Sequence, residues 1–261
     1  MALYFIGLGL SGPKDVTVQG LEIIKKCKKV YLESYTSLLQ CSKEDLEQEY
    51  GREVIAADRG LVEARAEETI LKDATQHDVA FLVVGDPFGA TTHVDLFLRA
   101  QNMGIATKII HNASVINAVA CTGLELYKFG RVVSMVFPEK NWMPETPYDH
   151  VQDNQRSGLH TLCLLDIQRD SSRFMTIQEG LNILLELEQK KKEKVISEDT
   201  LVVACARIGA DDQKIAYGAI KDMLQIPFGS PPHCFIIPSK LHFKEEEMLA
   251  LWGIEQIKRK E

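Results

Sequence analysis

Three loops, the first two bearing glycines, carry the residue types best able to hold a small ligand. The first, Gly7-Leu8-Gly9-Leu10-Ser11-Gly12, follows an apolar run and satisfies G-x-G-x-x-G, with Glu33 about 20 residues further on. In a dinucleotide fold the helix opens inside that motif, so that its N-terminus meets the pyrophosphate. Here Pro13-Lys14-Asp15 intervenes, and the helix is expected to begin between Asp15 and Thr17. The loop therefore suits a ligand of another kind, or the glycines merely supply turn conformations. The second loop is Val84-Gly85-Asp86-Pro87-Phe88-Gly89-Ala90-Thr91-Thr92. Asp86 can accept hydrogen bonds from an amine or hydroxyl, and Gly89 allows close backbone approach; the plainer alternative is a strand-to-helix turn with Asp86 as its Asx cap. Thr92-His93-Val94-Asp95 reads as a capping box. In the third loop, His111-Asn112-Ala113-Ser114-Val115, Ser114 is an N-cap candidate whose hydroxyl and helix amides could hold a carboxylate, or a cap and nothing more.

Other chemistries find less support. Cys27, Cys41, Cys121, Cys163, Cys205 and Cys234 are scattered singly, with no C-x-x-C pair, and are expected to be reduced and mostly buried. Cys121 has no base in its neighbourhood of the sequence. The seven histidines are dispersed and form no H-E-x-x-H motif, so no metal is expected.

The elements that must position these loops alternate short apolar runs with amphipathic ones, the pattern of an α/β protein. Strands are expected over residues 3–9, 30–33, 53–56, 79–84 and 107–110, with helices near 17–29, 43–50, 61–74 and 93–103. The run from Asp78 to Gly85 does not alternate, as expected of a parallel strand buried on both faces. Beyond it a helix is expected over 115–126, strands over 132–137, 160–166, 200–208 and 234–238, and helices near 147–157, 177–192 and 244–252. Those strands suggest a mixed sheet with one wetter face. Two α/β domains are thus expected, residues 1–112 with a mostly parallel sheet and residues 113–261 with a mixed one.

With 30 basic and 37 acidic side chains the net charge is −7, which argues against a nucleic-acid binder. Hydrophobic and charged contents of 45% and 26% are ordinary for a globular protein, and no apolar run reaches the roughly 18 residues of a membrane span. The start, Met1-Ala2-Leu3-Tyr4-Phe5-Ile6-Gly7, lacks the basic region of a signal peptide, so a cytoplasmic location is expected.

Taken together, G-L-G-L, V-V-G-D-P-F-G-A-T-T-H and I-H-N-A-S-V, in that order and at these spacings, resemble the tetrapyrrole methylase superfamily. Within it the chain is most similar to the diphthine synthase family of the eukaryotic type, through Tyr31-Leu32-Glu33-Ser34-Tyr35-Thr36-Ser37, Leu126-Tyr127-Lys128-Phe129-Gly130, the stretches 160–167 and 206–215, and Pro232-His233. Departures lie around 137–149 and 168–176. The resemblance implies two α/β domains with a cleft between them, a homodimer, and S-adenosylmethionine as cofactor, leaving as S-adenosylhomocysteine. Family cofactor positions fall on Leu10, Asp86, Gly89, Ser114, Val115, Leu165, Ile208 and His233. The partner implied is elongation factor 2, whose 3-amino-3-carboxypropyl histidine would receive three methyls on its amine and one on its carboxylate. Because the sulfonium methyl is already activated, positioning and desolvation carry most of the task and no catalytic triad is expected. The catalytic residues stay unassigned, with Asp86 read as a ligand holder. Alternatives are methylation of a tetrapyrrole intermediate, a nicotinamide oxidoreductase using the first loop, and a non-catalytic partner of the translation machinery.

Overall fold

The structure, a computed structural model, describes residues 1–140 and 142–257. The chain folds as two compact units, Met1–Ala118 and the remainder from Val119.

The first unit runs β1 (Ala2–Gly7), α1 (Val18–Lys26), β2 (Lys29–Glu33), α2 (Lys43–Tyr50), β3 (Ile55–Ala57), α3 (Ile70–Gln76), β4 (Val79–Val83), α4 (Val94–Asn102), β5 (Ala106–Ile110) and α5 (Val115–Ala118). All five strands are parallel, in the order β3-β2-β4-β1-β5. Alternate residues of the central strands feed two apolar layers, Phe5 and Phe81 on one face, Ile6 and Leu82 on the other. Every residue of β4 is buried, as its unbroken apolar run requires. Helix α1 is capped by Thr17, whose Oγ1 accepts the Gly20 amide at 3.0 Å. A Cβ at Gly20 would stand 3.0 Å from Ile6 Cγ2, so glycine lets α1 lie close on the sheet. The helix expected over 61–74 is instead a π-helical turn (Gly60–Ala64), a 3₁₀ turn (Ala66–Glu68) and then α3.

The second unit runs β6 (Val133–Met135), α6 (Thr146–Arg156), β7 (Thr161–Leu165), a β8–β9 hairpin (Ile167–Gln168 and Arg173–Phe174), α7 (Ile177–Lys191), β10 (Leu201–Ala206), β11 (Lys214–Ala219), α8 (Ile220–Met223), β12 (His233–Ile237), α9 (Phe243–Ala250) and α10 (Ile254–Ile257). Its sheet has the order β11-β10-β12-β7-β6, with β6 parallel to β7 and the other pairs antiparallel. A parallel first sheet and a mixed second sheet are what the strand patterns suggest. Helix α7 opens on a Thr176/Glu179 capping box, and Gly180 lets it approach Leu165 and Phe235. Two expectations change. The helix over 115–126 stops at Ala118 and continues only as a 3₁₀ turn, Val119–Thr122, before Gly123 turns the chain at φ 95°. The wetter face is absent from the central strands: β12 is wholly buried, as is β10 from Val202 on. Among the described residues no helix is long and apolar enough to cross a membrane.

Candidate functional site

Because β1 lies between β4 and β5, the loops that leave their carboxyl ends are neighbours in space. Open α/β sheets hold ligands at this edge. Gly9 and Gly85 exchange backbone hydrogen bonds of 3.2 and 2.8 Å, joining the first loop to the second. Asn112 Nδ2 donates to the carbonyls of Gly7 and Asp15, both at 2.9 Å, joining the third loop to the first. The packing tolerates no side chain at Gly7, where a Cβ would fall 2.5 Å from the Gly85 carbonyl oxygen, or at Gly89, 2.9 Å from Ser114 Oγ. Leu10, Asp86, Gly89, Ser114 and Val115 are thereby brought to one edge. Ser114 is the expected cap, its Oγ accepting the Ile116 amide at 3.2 Å.

Asp86 links the second loop to the third. Its Oδ1 accepts the Phe88 amide at 3.0 Å, an Asx turn; its Oδ2 accepts the Asn112 amide at 3.2 Å and meets His111 Nδ1 at 2.7 Å. Burial pushes the carboxyl up, but these donors outweigh it and hold Asp86 below the usual carboxylate range. The result is a fixed anion, 17% exposed, beside an imidazole that is 71% exposed.

The first loop is not an open phosphate cradle. Asp15 Oδ2 accepts the amides of Ser11 at 2.7 Å, Leu10 at 3.2 Å and Gly12 at 3.4 Å, so the chain's own carboxylate occupies the seat a pyrophosphate would need. Helix α1 begins only at Val18.

In the second unit, Leu165 ends β7, Ile208 follows the end of β10, and His233 begins β12. Strand β12 lies between the other two, with His233 paired to Ala206 and Cys234 to Leu164, so the three residues share one end of the sheet. The turn after β10 is pinned by Arg207, at φ 51°. Its Nε meets the Asp212 carboxylate at 2.6 Å, and the same guanidinium donates to the carbonyls of Phe228, Ser230 and Asp212. Both ring nitrogens of buried His233 lack a hydrogen-bond partner among the described residues. Burial lowers the His233 pKa and nearby Arg207 reinforces this, against the backbone of Ser230 and Gly229.

The family model of the tetrapyrrole (corrin/porphyrin) methylases matches residues 2–224. The chain belongs to this family. It is 49% identical over 274 residues to the diphthine methyl ester synthase of Homo sapiens, covering 97% of this chain and 96% of that one. To the diphthine synthase of Methanococcus maripaludis it is 48% identical, with 95% and 97% covered. A crystal structure of diphthine synthase superposes with a TM-score of 0.88 at 32% identity over 99% of each chain. As a tetrapyrrole methylase the protein is a methyltransferase, with three loops of the first unit and one sheet end of the second presenting its candidate residues.

The methylase also gives some residues roles that their sequence motifs do not suggest. No capping box forms at Thr92: His93 is the N-cap of α4 without a side-chain cap bond, because its ring turns inward and Nδ1 lies 3.2 Å from the Pro87 carbonyl oxygen. The glutamate ending β2, Glu33, is buried and accepts the Tyr35 amide at 2.5 Å and Thr36 Oγ1 at 2.8 Å. Asp15 and His111 lay in view beside the motifs, but only the fold shows that they close on the loop amides and on Asp86.

Proposed function

We propose that this methyltransferase carries methyl groups from S-adenosylmethionine to the 3-amino-3-carboxypropyl histidine of elongation factor 2, three to the amine and one to the carboxylate, releasing S-adenosylhomocysteine. The near full-length similarity to diphthine methyl ester synthases carries this reading.

The residues suit the donor. Asp86 is an ionised carboxylate matched to an ammonium or a ribose hydroxyl. His233 has two buried, unpartnered ring nitrogens that a heterocycle can engage, with Leu165 and Ile208 as apolar neighbours at the same sheet end. Leu10, Gly89, Ser114 and Val115 stand on the same three loops, with the amides of Leu10, Gly89 and Ser114 already bonded within the chain, so that they offer shape more than donors. When bound, the donor supplies a sulfonium methyl ready for in-line displacement. The chain orients the two reactants and excludes water. A cytoplasmic homodimer without membrane or nucleic-acid partners is the proposed working form, and a net charge of −7 is in keeping with the last point.

Intact-mass analysis of elongation factor 2 bearing the unmethylated arm, after incubation with the protein and S-adenosylmethionine, tests the reading. Four methyl increments are expected. No gain, or transfer to a corrinoid precursor instead, overturns it.

A further inference from the structure

We propose that His93 is the proton acceptor for the amine methylations, with the Tyr35 hydroxyl beside it helping to hold the acceptor's nitrogen. The inference rests on the acceptor named above, an arm bearing both an amine and a carboxylate.

A carbonyl oxygen can only accept, so the 3.2 Å contact between His93 Nδ1 and the Pro87 oxygen puts the ring proton on Nδ1. Nε2 is left with a free lone pair. It is buried and has no hydrogen-bond partner among the described residues. Tyr35 Oη, whose polar neighbour is the Thr92 side chain, likewise makes no hydrogen bond of normal geometry. Buried polar atoms are rarely left this way, and such atoms call for a reason. Tyr35 and His93 are 5% and 1% exposed, with ring centroids 6.1 Å apart, edge to face. Tyr35 follows β2 and His93 follows β4, its sheet neighbour, so both stand at the carboxyl edge that carries Asp86. His93 is bonded to the carbonyl of the residue next to Asp86.

Among the described buried side chains without partners, only His93 and His233 can take a proton. Their surroundings differ in sign. His233 faces the Arg207 guanidinium, which opposes a second positive charge, whereas His93 faces the carboxylates of Glu33 and Glu63, which favour one. Burial outweighs those carboxylates in the resting protein and lowers the His93 pKa, keeping it in the neutral form that accepts. Arg59, an exposed side chain that pairs loosely with Glu63 at 3.8 Å and whose guanidinium lies 5.5 Å from the Tyr35 ring centroid, is placed to exchange that partner for the arm's carboxylate as it enters.

In each amine step an N–H bond of the acceptor's ammonium breaks and its proton bonds to His93 Nε2, giving the imidazolium. The electron pair left on nitrogen forms the new C–N bond as the methyl–sulfur bond breaks onto sulfur, and the imidazolium then returns its proton to water. The carboxylate already carries a free pair, so ester formation needs no proton acceptor.

That difference is the test. His93→Gln keeps a donor for the Pro87 carbonyl but cannot act as the base. It is expected to slow amine methylation by at least about a hundredfold. Esterification of a pre-trimethylated acceptor should change by less than about threefold. Calorimetry should give an unchanged S-adenosylmethionine affinity. Equal loss in both steps, or undiminished amine methylation, overturns the assignment. Should the variant fail to fold, Tyr35→Phe is expected to raise KM for the acceptor in the amine steps alone, and an equal effect on esterification counts against the proposal. Independently of activity, ¹⁵N NMR of the unliganded wild-type protein at pH 7 should show His93 neutral with its proton on Nδ1; a proton on Nε2 sinks the idea. If the wild-type enzyme methylates neither acceptor, the reading of the substrate has failed, while the NMR result still judges His93.

Discussion

Each unit sets a carboxylate against a histidine, and the two pairs differ in who can reach them. In the second unit Glu245, in the first turn of α9, accepts the Glu125 amide and His160 Nε2, both at 3.0 Å, the His242 amide at 2.8 Å, and Lys128 Nζ. His160 Nδ1 accepts the Ser239 amide at 2.9 Å, which fixes the proton on Nε2. The side chains of Glu245 and His160 are 1% and 0% exposed, against 17% and 71% for Asp86 and His111. In both carboxyls burial pushes the pKa up and hydrogen bonds prevail, holding Asp86 below the usual range and Glu245 at about 2. The same pairing is therefore a strut where carboxylate and imidazole are both buried, and a candidate ligand site where the imidazole stays open to solvent.

Breaking the strut should have the largest effect. Glu245→Gln leaves the Lys128 charge without its partner, and urea unfolding should show a loss of about 3 to 5 kcal/mol with no direct effect on cofactor affinity. A loss below 1 kcal/mol would mean that the pair is not the tie it resembles. Acid should act on the same group. Its depressed pKa contributes stability that is fully present above the ordinary value of 4.5 and lost as pH falls toward about 2. Unfolding free energies between pH 5 and pH 2 should decline more steeply in the wild type than in Glu245→Gln, and parallel slopes would remove Glu245 from the account. Asp86→Asn inverts the pattern, weakening S-adenosylmethionine about tenfold by calorimetry while costing only about 1 kcal/mol of stability. An unchanged affinity would falsify the ligand role of Asp86. His111→Ala comes last, within about 0.5 kcal/mol in stability, since the contact of an exposed side chain contributes little. A change as large as that of Glu245→Gln would erase the distinction between site and strut.

How much of this was readable beforehand varies with the range of the interaction. Strand β4 could be recognised because a strand covered on both faces is apolar throughout, and the Ser114 cap because its partner amide is only two residues away. Strand β11 was missed: Lys-Ile-Ala-Tyr-Gly-Ala is a weak strand sequence, stabilised by its antiparallel register on β10, where Cys205 faces Ile215. Thr92-His93-Val94-Asp95 fits a capping box on paper, but α4 has its N-cap one residue later, at His93, and the Asp95 carboxylate pairs with Arg99 at 3.0 Å instead. Cys205 and Cys234 looked solitary in sequence, yet β10 and β12 place them directly opposite each other.

By itself the sequence determined the α/β alternation and the three candidate loops, which depend on periodicity and on residue types within a few positions, and its resemblance in those motifs pointed to the family. Only the tertiary structure decided that His111 and Asn112 converge on Asp86, and that one histidine is left with a bare lone pair while another is sealed against Glu245. Hydrogen bonds between residues 25 to 85 positions apart form or fail according to sheet order and burial, and neither is written in any short stretch of chain.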